Sequence, residues 1–283
     1  MVNKSNLNLS FEFFPPKTEA GREKLIVVRD ELSKLQPEFF SVTYGAGGST
    51  RDHTKSLVTQ FNSEGFNTAP HLSFGGDTEA EIINLLQAYR AAGVSRVVVL
   101  RGDMPSGIGG YSQMIYANEL VDFIRKHFND GFYLEVAAYP EVHPQAKNMR
   151  SDIFYLKKKF ESGADGAITQ YFYNIDGFLY FMDKCLAAGI HQPIVPGVMP
   201  INNFQNLLRF SANCGAEIPR WLQKAFEAYG DDAESLQALG IDVVTTLCQT
   251  LIENGVPGLH FYTMNQLEPT KTIVENLGLT SRS

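Results

Sequence analysis

A chain of 283 residues that is 44% hydrophobic and 19% charged can bury a large core, which excludes disordered and fibrous classes. Its net charge of −7, from 24 basic and 31 acidic residues, lacks the basic surplus of a nucleic-acid binder, so no nucleic-acid partner is expected. The cysteines Cys185, Cys214 and Cys248 are odd in number, far apart and never C-x-x-C. That excludes a disulfide framework and a cysteine-rich zinc centre and fits a reducing compartment. No apolar run approaches about 18 residues, and the N-terminal MVNKSNLNLS has no signal-peptide core. The expectation is a soluble, cytoplasmic protein without membrane association.

Short β-rich runs start at Ser10 (SFEFF), Phe40 (FSVTY), Pro70 (PHLSF), Val97 (VVVLR), Glu135 (EVAAY), Ala167 (AITQY), Ile194 (IVPGV) and Leu259 (LHFYT). Successive starts lie 27 to 38 residues apart, except for a last gap of 65. A gap near 30 residues suits one β-α unit. The intervening segments read as helices. Thr78 and Glu81 form a capping-box signature ahead of Ile82, Leu86 and Tyr89. Gly65, Gly93, Gly163, Gly189 and Gly255 stand where a helix must turn into the next strand through positive φ. The long last gap leaves room for an extra helix around Pro219–Tyr229. With no linker and no shift in composition, the expectation is one domain over residues 1–283. Its class is α/β: a (β/α)8 TIM barrel with extra helices before the last strand. A doubly wound sheet is the alternative, but Pro15-Pro16 after the first strand precludes its G-x-G-x-x-G turn. GAGGST (residues 45–50) has the wrong glycine spacing for that turn and reads as a flexible loop.

Barrel chemistry sits at the C-terminal ends of the strands. Those ends carry Glu12, Thr43-Tyr44, His71, Arg101-Gly102-Asp103, Tyr139 with His143 beyond it, Gln170, and Tyr262 with Gln266 beyond it. Alternation puts Ser10, Glu12 and Phe14 on one face and Phe11 and Phe13 on the other. Both faces of a closed barrel are covered, so Glu12 should be poorly solvated and its pKa raised. Each residue alone has a structural explanation; their convergence points to a site. No strand end offers a lysine for a Schiff base, and neither H-x-H on the first strand nor H-E-x-x-H is present. No metal is expected. The aromatics Tyr44, Tyr116, Tyr139, Phe210 and Tyr262, with amides and an arginine, suit a planar, anionic cofactor of unspecified identity.

The runs SFEFFPPKT, FFSVTYGAGGSTRD, APHL, VVVLRGDMP, VAAYPEVHP, ADGAITQYFY, PIVPGVMPI and HFYTMN resemble, in order and over nearly the whole chain, the 5,10-methylenetetrahydrofolate reductase family. The resemblance implies a barrel that holds non-covalent FAD without a Rossmann domain. It implies reduction of 5,10-methylenetetrahydrofolate to 5-methyltetrahydrofolate by NADH or NADPH in a ping-pong cycle, supplying methyl groups for methionine synthesis. The length matches the catalytic domain alone, without the regulatory domain of longer eukaryotic members. NADH is the expected reductant, as in short bacterial members, and a homo-oligomer the expected state. By the same resemblance Glu12 is the catalytic acid, and Asp103 lies near flavin and folate. FAD would be contacted by Tyr44, His71, Arg101, Gly102, Asp103, Tyr116, Ala117, Tyr139, His143, Ala146, Asp152, Tyr155, Lys158 and Lys159. Thr43 and Gln170 match nicotinamide contacts. Glu12, Asp103, Gln170, Phe210 and Gln266 would meet folate. One departure stands out: Asn265-Gln266 replaces the family's usual Asn-Arg, losing a cation at a folate position. Two other readings remain open, a flavin-dependent barrel acting on another small substrate and a barrel that binds folate or flavin without turnover.

Overall fold

The computed structural model describes residues 7–44, 51–74, 77–101, 116–230 and 232–279. The strands are β1 (Asn8–Phe13), β2 (Phe39–Val42), β3 (Thr68–Ser73), β4 (Arg96–Leu100), β5 (Tyr133–Ala138), β6 (Gly166–Thr169), β7 (Ile194–Val195), β8 (Gly197–Val198) and β9 (Gly258–Tyr262). Each lies at its predicted position. All neighbours pair in parallel, and β1 bonds to both β2 and β9. The series ends with β7 on β6 at one side and β8 on β9 at the other. β7 and β8 are two halves of one staggered strand, interrupted at Pro196, which has no N–H to give to a ladder. That strand closes the ring, so the nine segments make the eight staves of a (β/α)8 barrel.

The helices are α1 (Glu19–Ser33), α2 (Arg51–Ser63), α3 (Glu79–Ala91), α4 (Ala117–Phe128), α5 (Met149–Glu161), α6 (Ile175–Ala187), α7 (Phe204–Cys214), α8 (Arg220–Ala228), α9 (Ala233–Glu253) and α10 (Thr270–Asn276). Thr78 and Glu81 form the expected reciprocal cap of α3. The five helix-ending glycines all have φ between 78° and 109°. α8 is the extra helix anticipated in the long gap. α9 is long and apolar enough to cross a membrane by length and composition, yet it lays Val244, Leu247, Cys248 and Leu251 into the core.

Two hydrophobic regions result from strand alternation. Outside the strands, Phe11, Phe13 and Phe40 join Phe61 of α2 and the other helices in one continuous shell. Inside the barrel the apolar cluster is small: Phe39, Ala69, Val98 and Ile168, with Leu100 and Tyr262 against it. Much of the remaining interior is polar, including Ser10, Ser41, His71, Glu135, Thr169 and His260. Gly197 is needed where the broken strand crosses this interior. A Cβ there would lie 2.1 Å from the Thr169 carbonyl oxygen and 2.6 Å from the Tyr262 ring.

Candidate active site

Glu12 occupies the fifth position of β1, on the same inward face as Ser10. Its carboxylate gathers side chains from three other strands. His71 Nε2 of β3 is 3.1 Å from Oε2 and His260 Nε2 of β9 is 3.5 Å from it. Ser41 Oγ of β2 is also 3.5 Å away. The histidine contacts are charge contacts more than linear hydrogen bonds, and neither Nε2 has another partner among the described residues. Behind His260, Nδ1 lies 2.7 Å from Ser10 Oγ. Glu12, Ser10 and His260 thus form a buried line, anchored because β1 and β9 pair Ser10 opposite His260.

The electrostatics correct one expectation. Burial does push the Glu12 carboxyl upward and is the largest single influence. The two histidines, His71 foremost, together outweigh it and lower the pKa from 4.5 to about 2. The rings of Phe11 and Phe13, its neighbours along β1, point outward to the shell and do not surround it. Phe14 is exposed. Burial lowers the pKa of His260, against the opposing pull of Glu12. Close titrating groups of this kind share protons as a cluster.

Several of the other expected residues follow the same strand ends. Thr43 is fixed by its N–H to the Phe13 carbonyl and its carbonyl to Thr54 Oγ1, each 2.9 Å. Tyr44 follows it, its pKa raised by burial and then by Asp77. Arg101 holds Gln145 Oε1 at 2.6 Å and lies 5.3 Å over the ring of Tyr116, the N-cap residue before Ala117. The Tyr139 and His143 rings meet edge to face, with centroids 4.5 Å apart. Asp152 accepts the His143 backbone N–H at 2.8 Å, and the Ala146 N–H closes a turn onto the His143 carbonyl. His143 Nδ1 accepts from the Gln145 N–H. Burial lowers the His143 pKa, with Asp152 opposing.

Lys159 Nζ reaches the Ala137 carbonyl at 2.7 Å, and burial lowers its pKa to about 8. Tyr155 and Lys158 lie on the exposed side of α5, Lys158 over the Phe154 ring, and among the described residues neither touches this group. Gln170 follows β6 and accepts the Tyr171 N–H through Oε1. Phe210 is exposed on α7, next to Ser211, which bonds Tyr171. Gln266 is exposed, just after a turn made by the left-handed Met264 and Asn265. Gly102 and Asp103, like residues 45–50, lie outside the described residues.

Sequence reasoning missed four supports. Ser10 and His260 back Glu12. Thr263 Oγ1 donates to the Glu12 carbonyl at 2.7 Å. Asn265 grips Phe14 through both its backbone N–H and carbonyl. Ser10 and His260 each stand two residues before a recognised inward residue, Glu12 and Tyr262, and that spacing was the available signal.

Arg101 and Lys159 have no carboxylate within ion-pair distance among the described residues. Arg101 over the Tyr116 ring and the buried Lys159, neither ion-paired among the described residues, fit a planar ligand carrying phosphate. Among the described residues no cluster could hold a metal ion.

Fold and site together define a (β/α)8-barrel enzyme with a carboxylate–histidine cluster at the C-terminal ends of its strands. The family model for methylenetetrahydrofolate reductase matches residues 1–278. The 5,10-methylenetetrahydrofolate reductase of Escherichia coli (strain K12) is 38% identical over 98% of this chain and 92% of its own length. The enzyme of that name from Buchnera aphidicola subsp. Schizaphis graminum is 39% identical over 96% and 92%. The chain belongs to the methylenetetrahydrofolate reductase family. A Clostridium thermocellum protein described as binding two copies of 5-methyl-5,6,7,8-tetrahydrofolic acid shares the fold, with a TM-score of 0.60, 18% identity and coverage of 97% and 94%.

Proposed function

We propose that this protein reduces 5,10-methylenetetrahydrofolate to 5-methyltetrahydrofolate with NADH, through FAD held at the barrel mouth. The observation that carries this reading is the Glu12 cluster, built on the first strand of a chain whose family match spans residues 1–278. Tyr44, Arg101, Tyr139, His143 and Lys159 would hold FAD, the two cations facing its pyrophosphate. When bound, FAD would carry hydride between the two substrates. Thr43, Gln170, Phe210 and Gln266 would line the place where nicotinamide and folate alternate, Phe210 stacking on either. Three free cysteines support a reducing, cytoplasmic setting.

Opening the five-membered folate ring requires a proton on a ring nitrogen. Glu12 delivers it, and its carboxylate is then stabilised by His71, His260 and Ser41. Because those groups hold Glu12 ionised at rest, its proton must arrive within the cycle. NADH oxidation needs no such acid. The Glu12→Gln variant should therefore keep FAD and let NADH bleach the flavin absorbance at a similar rate. Recovery of that absorbance on adding methylenetetrahydrofolate should slow at least about a hundredfold, the usual lower contribution of a general acid. Stopped-flow absorbance separates the halves. Unimpaired recovery removes Glu12 as the acid, and a colourless protein that cannot be reconstituted with FAD removes the whole reading.

A further inference from the structure

The end of the barrel opposite Glu12 holds a cavity of about 80 Å3, room for several water molecules. It is lined by residues at or before the N-terminal ends of the strands, including Asn8, Glu38, Arg96 and Tyr133, and by Glu135 and Ser10 deeper inside. Side-chain exposure falls from 36% at Glu38 to 11% at Arg96 and 3% at Glu135. Arg96 bridges both glutamates and lies between the Phe39 and Tyr133 rings, its guanidinium carbon 4.4 and 4.2 Å from their centroids. That pairing occupies Glu135 Oε1. Oε2 is buried and has no hydrogen-bond partner among the described residues. The cavity therefore presents a buried carboxylate oxygen at one side and the Ser10 side of the Glu12 cluster at another.

We infer that this cavity is the proton intake for Glu12, feeding it through Ser10 and His260 from the closed end of the barrel. The inference rests on the reading of Glu12 as the acid. Overall, the reaction takes one hydride from NADH and one proton from solvent, and folate seated at the mouth covers the side from which Glu12 would otherwise meet water. The geometry supplies the other route. A proton entering on cavity water is taken up by Ser10 Oγ as the Ser10 hydroxyl proton moves 2.7 Å to His260 Nδ1. The Nε2 proton then passes across 3.5 Å to the Glu12 carboxylate. One proton has entered, Glu12 is protonated, and His260 remains neutral with its proton on Nδ1; loss of that proton through Ser10 and gain of one from water at Nε2, while the mouth is empty, restore the starting tautomer. Glu135 suits the entrance because burial, opposed by Arg96, raises its pKa from 4.5 to about 7, where a carboxyl both takes and releases protons near neutrality. Arg96, Glu38, Tyr133 and Asp165 face Glu135. His71, His260 and Tyr262 face Glu12.

The test is the folate half-reaction followed by stopped-flow flavin absorbance in H2O and D2O, for wild type, Glu12→Gln, Ser10→Ala, Ser10→Thr and Glu135→Gln. Ser10→Ala should slow it about tenfold or more and enlarge its solvent isotope effect, while FAD affinity and the NADH half-reaction stay as in wild type; Ser10→Thr, which keeps the hydroxyl, should restore it. Glu135→Gln, which leaves the relay itself intact, should flatten the pH profile of that half-reaction around neutrality. If Ser10→Ala does not fold, the Glu135→Gln profile decides. Wild-type rates, isotope effects and pH profiles in the Ser10 and Glu135 variants, with Glu12→Gln inactive toward folate, would overturn the intake and leave the mouth as the proton's route. A Glu12→Gln protein that still reacts with folate would instead overturn the acid assignment beneath it.

Discussion

Two glutamates point into opposite ends of one barrel, and their protons are held in opposite ways. Glu135 has the stronger formal partner, an arginine in contact, yet its pKa rises to about 7. Glu12 has two histidines at 3.1 and 3.5 Å, yet its pKa falls to about 2. The difference lies in what else surrounds each carboxylate. Arg96 is shared with Glu38, and the charges of Glu38 and Asp165 also bear on Glu135. Glu12 is met by two histidines instead, and Ser41 adds a hydroxyl donor. A salt bridge counts for less than the whole field and the number of donors around the charge.

The most severe way to break this comparison is Arg96→Met. Removing one member of a buried pair leaves the other charge uncompensated, and about 3–5 kcal/mol of stability should be lost. The loss should be largest above pH 7 and shrink at pH 5, where Glu135 is protonated in the folded protein. Urea unfolding at the two pH values measures it.

The pH dependence should differ in sign at the two ends. A carboxyl raised on folding keeps its proton in the native state after the unfolded chain has released it. Glu135 therefore makes stability fall as pH rises from 4.5 to about 7, by roughly 3 kcal/mol. Glu12, lowered on folding, contributes stability that is present above 4.5 and is lost as pH falls toward 2. Glu135→Gln should remove the decline between 4.5 and 7 and leave the acid limb in place. Denaturation midpoints across that range check it, and an unchanged decline would assign the titration to another group. The smallest effect belongs to Ser41→Ala. Its 3.5 Å contact is long, so the variant should cost no more than about 0.5 kcal/mol and shift the acid limb only slightly upward.

The fold was legible because it is written locally. Eight apolar runs at near-regular spacing, the Thr78–Glu81 cap and the glycines at helix ends each declare themselves within a few residues. The site was legible as a set of strand ends, and for Glu12 as one face of an alternating strand. Its proton balance was not, because Ser10 and His260 meet across 250 positions of sequence and only barrel closure fixes their register. The Arg96–Glu135 pair escaped notice for a different reason. It sits where strands begin, and reading a barrel by its strand ends leaves that face unsearched.

Pro196 has a mechanical consequence. Every other stave is a single run of at least four residues, whereas the seventh offers two to each neighbour, on either side of a residue that can donate nothing. The barrel is thus a hoop with a clasp. Its cheapest local opening lies at that joint, and the clasp is held by side chains: the Gly197 N–H on Thr169 Oγ1 and the Tyr262 hydroxyl on the Thr169 carbonyl. Tyr262 lies in β9 opposite Glu12, so the part that fastens the hoop also forms one wall beside the acid.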